Sequence, residues 1–163
     1  MGIYLAFPIL ALAAALQATL IPQISIGGVG PDLVLLLVVA WSVNTELPQG
    51  ISWALIGGIM LDLLSALPAG TSSIPLVLMV FVISGIGARF YQLGWLWLLA
   101  LTLGGTLFQQ AVMLLLMLLL GYRVNWITDI VAIAVPTLAY NLGLVLPVYW
   151  WVRRVQRGLP GNR

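Results

Sequence analysis

Residues 57–70 read GGIMLDLLSALPAG and place one acidic residue, Asp62, inside an otherwise apolar helical segment. A carboxylate within a lipid bilayer costs about 2.5–3.5 kcal/mol even on the most lenient insertion scale. It therefore requires a hydrogen-bonding partner, a wet cavity or another subunit. Asp62 is the first residue at which a function is to be sought.

Asp62 shares one face of the predicted helix with Ala54, Gly58 and Ser65, because these positions follow helical spacing. Small residues allow a neighbouring helix to approach closely, and polar ones donate or accept hydrogen bonds across the contact. Two alternatives stay open for Asp62: it caps amides within its own chain, or it contacts a ligand or another subunit. We expect Asp62→Ala to weaken assembly or function more than Asp32→Ala, because the interior carboxylate has fewer solvated alternatives and shares its face with Gly58 and Ser65.

The composition defines the class of protein. Of the 163 residues, 63% are hydrophobic and 6% are charged, whereas soluble domains have roughly 25% charged residues. This predicts a single polytopic membrane domain over residues 1–163, without room for a soluble catalytic module. The sequence has no cysteine and no histidine, which excludes disulfides, thiol chemistry and most transition-metal sites. We therefore expect no cofactor.

Hydrophobic runs separated by proline, glycine and polar residues predict an all-α membrane protein with six transmembrane helices. Each run except the second has the ~17–25 residues that a spanning helix requires. The second is short, so it should be extended through its flanking turns, tilt little or lie beside thinned bilayer. The predicted spans are about 3–21, 32–45, 50–67, 73–89, 94–120 and 127–152.

The arginines predict the orientation. An even number of spans places both termini on one side of the membrane, and Arg123 is the one arginine predicted on the opposite side. By the positive-inside rule, both termini of this multi-pass cell-membrane protein are predicted to be cytoplasmic. Basic residues cluster only in the C-terminal tail, so a nucleic-acid partner is not predicted. The arginines on the terminal side are Arg89, Arg153, Arg154, Arg157 and Arg163.

Four further polar or small residues are candidates for structural or interface roles. Asp32 stands in the opening turn of the second span, where the helix dipole favours an acid. Gly105 and Gln109 interrupt the leucine-rich fifth span, and Asn141 lies in the sixth. We interpret Gln109 and Asn141 as hydrogen-bonding residues between helices, and Gly105 as a point of close helix packing.

Catalytic patterns are missing from the sequence. It contains no pairing of serine or cysteine with histidine, no metal-ligand cluster and no phosphate-binding loop. A single aspartate is not a catalytic site. The chain is therefore not predicted to be an enzyme.

Three motifs together carry a resemblance to a known family: PDL at 31–33, GxxxLDLLSxxPxG at 57–70, and PTxxYN at 136–141. With them the chain resembles the MreD family, the small membrane subunit of the bacterial rod-shape system. The resemblance implies a non-catalytic scaffold of the elongation machinery for lateral peptidoglycan synthesis. It also implies direct binding to MreC, and through MreC a link to RodA, its penicillin-binding transpeptidase and MreB. The implied fold is similar to the substrate-binding component of energy-coupling-factor transporters.

The residues leave one alternative function and several contact sites open. The alternative is a vitamin- or cofactor-binding component of an energy-coupling-factor transporter, with a pocket lined by Gln17, Asp32 and Asp62. For the scaffold, small-residue stretches at 57–58, 84–88 and 104–106 are candidates for close packing against the MreC helix. We expect one or more of these stretches to pack against the partner helix instead of within the bundle, and we favour the C-terminal half of the chain for this contact. Gly105→Leu should then prevent docking by steric exclusion while the isolated chain still folds.

Overall fold

The computed structural model describes residues 2–19, 30–65, 69–90, 95–121 and 126–158. These residues form helices and no strand, so the all-helical prediction is confirmed. The helix ends lie within five residues of the predicted ends. The six helices are α1 (Gly2–Thr19), α2 (Leu33–Ser42), α3 (Leu47–Leu64), α4 (Ser73–Phe90), α5 (Trp95–Leu119) and α6 (Trp126–Arg157).

Among the described residues, three helical stretches are long and apolar enough to cross a membrane. They are Leu47–Leu64, Trp95–Leu119 and Ala134–Arg157. Three further apolar stretches are shorter, and the shortest of these is α2. Length and composition thus support an integral membrane protein, while the number of crossings stays a prediction.

Helix α2 is the centre of the bundle. It contacts all five other helices, and every side chain from Val34 to Ser42 is buried. A helix that is hydrophobic all round is expected in such a position. Its ten residues extend about 15 Å, half of the ~30 Å hydrocarbon thickness. From the sequence, we expected the short second span to be extended through its flanking turns, to tilt little or to lie beside thinned bilayer. None of these is needed for α2, because it is enclosed by protein.

Helix α3 packs closely against both α4 and α2, and glycines permit it. A Cβ atom at Gly58 would overlap the backbone Cα of Ser73 in α4, and one at Gly57 would lie 2.7 Å from Val34 Cγ1 in α2. Both are closer than side chains tolerate. One turn before Gly57, the ring of Trp53 stacks on Trp41 of α2 with centroids 3.8 Å apart. The middle of α3 is thus fixed within the chain.

Helix α6 is longer than predicted. It continues to Arg157, so Arg153, Arg154 and Arg157 are helical and exposed, not part of an unstructured tail. The Arg154 guanidinium lies 5.5 Å from the centre of the Trp150 ring. Three arginines of the sequence analysis lie outside the described residues, either entirely or by their side chains: Arg89, Arg123 and Arg163.

Candidate functional site

The carboxylate of Asp62 holds the loop between α3 and α4, an arrangement that we call the Asp62 loop site. Its two oxygens accept backbone N–H bonds from Gly70 and Ser72, both at 2.8 Å. They also accept hydroxyl bonds from Thr71 at 3.2 Å and Ser73 at 2.7 Å. The carboxylate therefore caps the loop and the start of α4 from the neighbouring helix.

The local sequence explains this geometry. The first amides of a helix have no partner within it and attract negative charge, and Asp62 lies one turn before the end of α3. Gly70 has φ +100°, a left-handed conformation that glycine adopts without strain. The chain can thus reverse direction closely enough for its amides to reach the carboxylate of the preceding helix.

These contacts correspond to the first alternative for Asp62, capping within one chain. Gly58 lies one turn before it and brings Ser73 close, so the small and polar face predicted for α3 meets α4 of the same chain. Ser65 donates to the backbone oxygen of Asp62 at 3.2 Å. Neither Gly58 nor the Asp62 carboxylate is free for another subunit. Pro68 lies outside the described residues.

Asp32 joins four helices and forms what we call the Asp32 hub. Its Oδ1 accepts the α2 amide of Leu35 at 3.0 Å and the side-chain amide of Gln17 in α1 at 3.1 Å. Its Oδ2 accepts the side-chain amide of Gln109 in α5. Its backbone N–H donates to Asn141 of α6 at 2.8 Å. Asp32 therefore lies in the opening turn of α2, where the sequence predicted it, and it also forms hydrogen bonds with other helices.

Asn141 extends the hub into α5. Its Nδ2 donates to Thr106 Oγ1 at 2.9 Å, and the Thr106 hydroxyl donates to the Thr102 carbonyl at 2.8 Å. Asn141 is fully buried. Gln109 and Asn141 thus hydrogen-bond between helices, which is the arrangement that we inferred for them from the sequence.

The sequence analysis did not predict that Asp32 is buried between helices. It is 9% exposed, almost the same as Asp62 at 8%, although we read it as the ordinary start of a helix. Gln17 both donates to Asp32 and accepts from the Val34 amide at 3.1 Å, so it completes the N-terminal cap of α2 from another helix. The available signal was the presence of amide side chains within apolar runs, at Gln17, Gln109 and Asn141.

A cavity of about 430 Å³ opens beside the hub, and we call it the outer cavity. Gln17, Asp32 and Gln109 lie on its polar side, and Leu64 and Met113 on its apolar side. The prediction that Gln17 and Asp32 line one pocket fits this arrangement. Asp62 does not line the cavity, because its carboxylate is turned to the loop.

Two apolar grooves lie elsewhere on the bundle. The α4–α5 groove, of about 300 Å³, is lined by Met79, Val82, Gly104 and Phe108 among others. The α1–α6 groove, of about 550 Å³, is lined by bulky side chains such as Leu12 and by others from α1, α2 and α6. Both are nearly free of polar groups and suit contact with lipid or with another helix.

Adjacent glycines of α5 have opposite environments. A Cβ at Gly105 would collide with the thioether of Met79 in α4, whereas a Cβ at Gly104 would have nothing within 4 Å. Gly105 therefore packs inside the bundle, and Gly104 is the open position. A substitution at Gly105 would require the flexible Met79 side chain to shift within the bundle. The expectation that Gly105→Leu acts on a partner alone is therefore replaced by a test at Gly104, where a Cβ meets nothing.

The described helices, the Asp62 loop site, the Asp32 hub and the apolar grooves define a helical integral membrane protein. Both buried carboxylates are occupied by hydrogen bonds of their own chain, and the described residues hold no group of histidine, cysteine, aspartate and glutamate suited to a metal ion. The sequence pattern of the rod shape-determining protein MreD matches residues 1–157. The chain therefore belongs to the MreD family and has a role in determining rod cell shape. Comparison with curated proteins and with solved structures gives no match.

Proposed function

We propose that the chain is a non-catalytic scaffold subunit of the rod complex that binds MreC within the bilayer and supports lateral peptidoglycan synthesis. The match to MreD over nearly the whole chain carries this proposal. RodA, its penicillin-binding transpeptidase and MreB are reached through MreC. Four hydrogen bonds hold the Asp62 carboxylate in the loop, and three hold the Asp32 carboxylate between helices. These structural contacts support a non-catalytic role, since neither carboxylate is paired with a second acid or base of the described residues.

The α4–α5 groove is the docking site that we favour for the MreC helix. Helices associate in lipid mainly through close packing, and small residues at the contact permit it. Gly104 supplies such a position, and apolar side chains on both sides of it supply packing surface. The α1–α6 groove has bulky walls and fits flexible acyl chains better. This choice agrees with our preference for the C-terminal half.

Gly104→Leu is expected to reduce the amount of MreC that copurifies with the tagged chain by about tenfold, because a side chain forced into a close contact costs about 1–3 kcal/mol. Gly143→Leu is the matched control, since Gly143 is also exposed, also has nothing within 4 Å of a Cβ and lies outside the groove. Both variants should melt no lower than the wild type. Equal recovery of MreC with both variants would rule out this groove.

We further propose that six helices cross the inner membrane with both termini in the cytoplasm. The exposed arginines at the end of α6 support this orientation. The chain lacks cysteine, so single cysteines report topology cleanly. Arg157→Cys should react with an impermeant maleimide only after the cytoplasm is opened, and Leu120→Cys should react in intact spheroplasts. The reverse pattern would invert the topology.

The alternative, a vitamin-binding transporter component, is favoured by one observation, the outer cavity. Against it, no aromatic side chain is among the described residues that line the cavity, although aromatic walls are usual in sites for ring-shaped cofactors. Copurification decides between the two functions. A stoichiometric vitamin retained by the purified chain, together with absence of MreC, would favour transport.

A further inference from the structure

The outer cavity contains a buried carboxylate without a cationic partner among the described residues. Asp32 is 9% exposed, and no arginine is among the described residues lining the cavity. A carboxylate offers about four acceptor positions, and three are taken by the N–H groups of Leu35, Gln17 and Gln109. A buried charge is stable when an opposite charge compensates it. Among the described residues, the site thus retains one acceptor position and supplies no cation to an ionised Asp32.

Gln109 adds a second acceptor. An ionised Asp32 carboxylate can only accept hydrogen bonds, so Gln109 must direct its amide nitrogen toward that carboxylate. The Gln109 carbonyl oxygen, Oε1, is then left buried and has no hydrogen-bond partner in the structure. A buried acceptor without a donor is unfavourable. Asp32 and Gln109 therefore both require a donor from outside the described network.

The rest of the cavity is apolar and adaptable. Leu61, Leu64, Met113 and Met117 line it, and methionine side chains adjust to the shape of a bound chain. The volume of about 430 Å³ lies within the range of small-ligand sites. A matching ligand has a cationic head with N–H donors and an apolar part beside it.

We propose that the outer cavity binds a primary ammonium group joined to an apolar chain. An ammonium group carries three N–H donors and one positive charge, so it supplies both requirements of Asp32 and Gln109. An anionic head that lacks an ammonium group would be repelled by Asp32. Two sources offer a primary ammonium group on a molecule with an apolar part: a phospholipid with an ethanolamine head group, whose phosphate lies beyond the ammonium group, and a free alkylamine. The proposal is independent of MreC docking, because the outer cavity and the α4–α5 groove share no described lining residue.

The lipid arm uses the purified full chain in mild detergent with equal amounts of phosphatidylethanolamine and phosphatidylcholine of identical acyl chains. Native mass spectrometry counts the retained lipids. We expect about fivefold or greater enrichment of phosphatidylethanolamine, because methylation removes the N–H donors of the head group while keeping its charge. The free-amine arm measures the melting temperature in phosphatidylcholine nanodiscs with hexylamine or hexanol. Stabilisation by hexylamine alone assigns the site to a free amine.

Two variants test whether the lipid enrichment or the stabilisation by hexylamine arises from binding in the cavity. Asp32→Asn removes the charge and should abolish the preference for the ammonium group. Met113→Trp fills the cavity without replacing a residue of the hub, and it should also abolish the preference for the ammonium group. Leu115→Trp lies on the exposed side of α5 and should behave as the wild type. Equal retention of both lipids together with equal effects of hexylamine and hexanol would overturn the proposal. So would a preference that survives in Met113→Trp, or enrichment of an anionic lipid such as phosphatidylglycerol.

Discussion

Asp62→Ala is expected to lower the free energy of unfolding by about 2–4 kcal/mol, because a hydrogen bond between an amide and an ionised acceptor contributes about 1.5–3 kcal/mol. Two such amides, those of Gly70 and Ser72, depend on this carboxylate, and both are only partly buried. The hydroxyls of Thr71 and Ser73 lose an acceptor as well. Unfolding in mixed detergent micelles, followed by tryptophan fluorescence, measures the loss.

Glu46→Ala is the matched control for Asp62→Ala. Glu46 is an exposed acid at the start of α3 without a side-chain capping bond, so its loss should change stability by less than about 0.5 kcal/mol. If Asp62→Ala unfolds with the same midpoint as Glu46→Ala, the loop site contributes nothing to the fold. Asp62 would then have to be reconsidered as a contact for another subunit.

Asp32→Ala is expected to lower the free energy of unfolding by about 2–4 kcal/mol, since it removes the cap of α2 and leaves side-chain amides from α1 and α5 without their acceptor. This loss is comparable with that of Asp62→Ala, because the two carboxylates are equally buried. The greater effect of Asp62→Ala on assembly with partners stays a prediction. Copurification of the two variants with MreC measures it.

A double-mutant cycle tests the interhelical part of the Asp32 hub. Asp32→Ala and Gln109→Ala should couple by about 0.6–1.7 kcal/mol, the range found for hydrogen bonds between membrane helices. Gln110 is the matched control, because it is the adjacent amide of α5 and no hydrogen bond joins it to Asp32 in the structure. Coupling to Gln110→Ala as large as that to Gln109→Ala would indicate general loosening of the helices instead of a specific bond.

The sequence was sufficient for features that depend on local composition. Apolar runs and breaker residues identify helices, since a chain in lipid must satisfy its backbone hydrogen bonds internally. The same reasoning identified Asp62 as an unusual carboxylate in an apolar helix, and it included loop capping among the roles of this residue. Its donors, Gly70 to Ser73, lie within eleven residues of it, so the contact is nearly local.

The Asp32 hub could not be read from the sequence, because its partners are distant in the chain. Asn141 is 109 residues from Asp32, and Gln109 is 77 residues away. Single polar residues in four helices indicate hydrogen bonding, but their spacing does not say which will meet. Only the packing of the helices around α2 decides this.

The sequence by itself therefore determined the membrane class, the helices and the family motifs. All three follow from composition and from the order of residues over short distances along the chain. The tertiary structure alone decided which side of each helix is free. Gly104 and Gly105 are chemically identical neighbours, yet successive residues of a helix point about 100° apart, so one contacts Met79 and the other is open. It also decided that the short α2 is enclosed, because five other helices together bury the surface that lipid would otherwise contact.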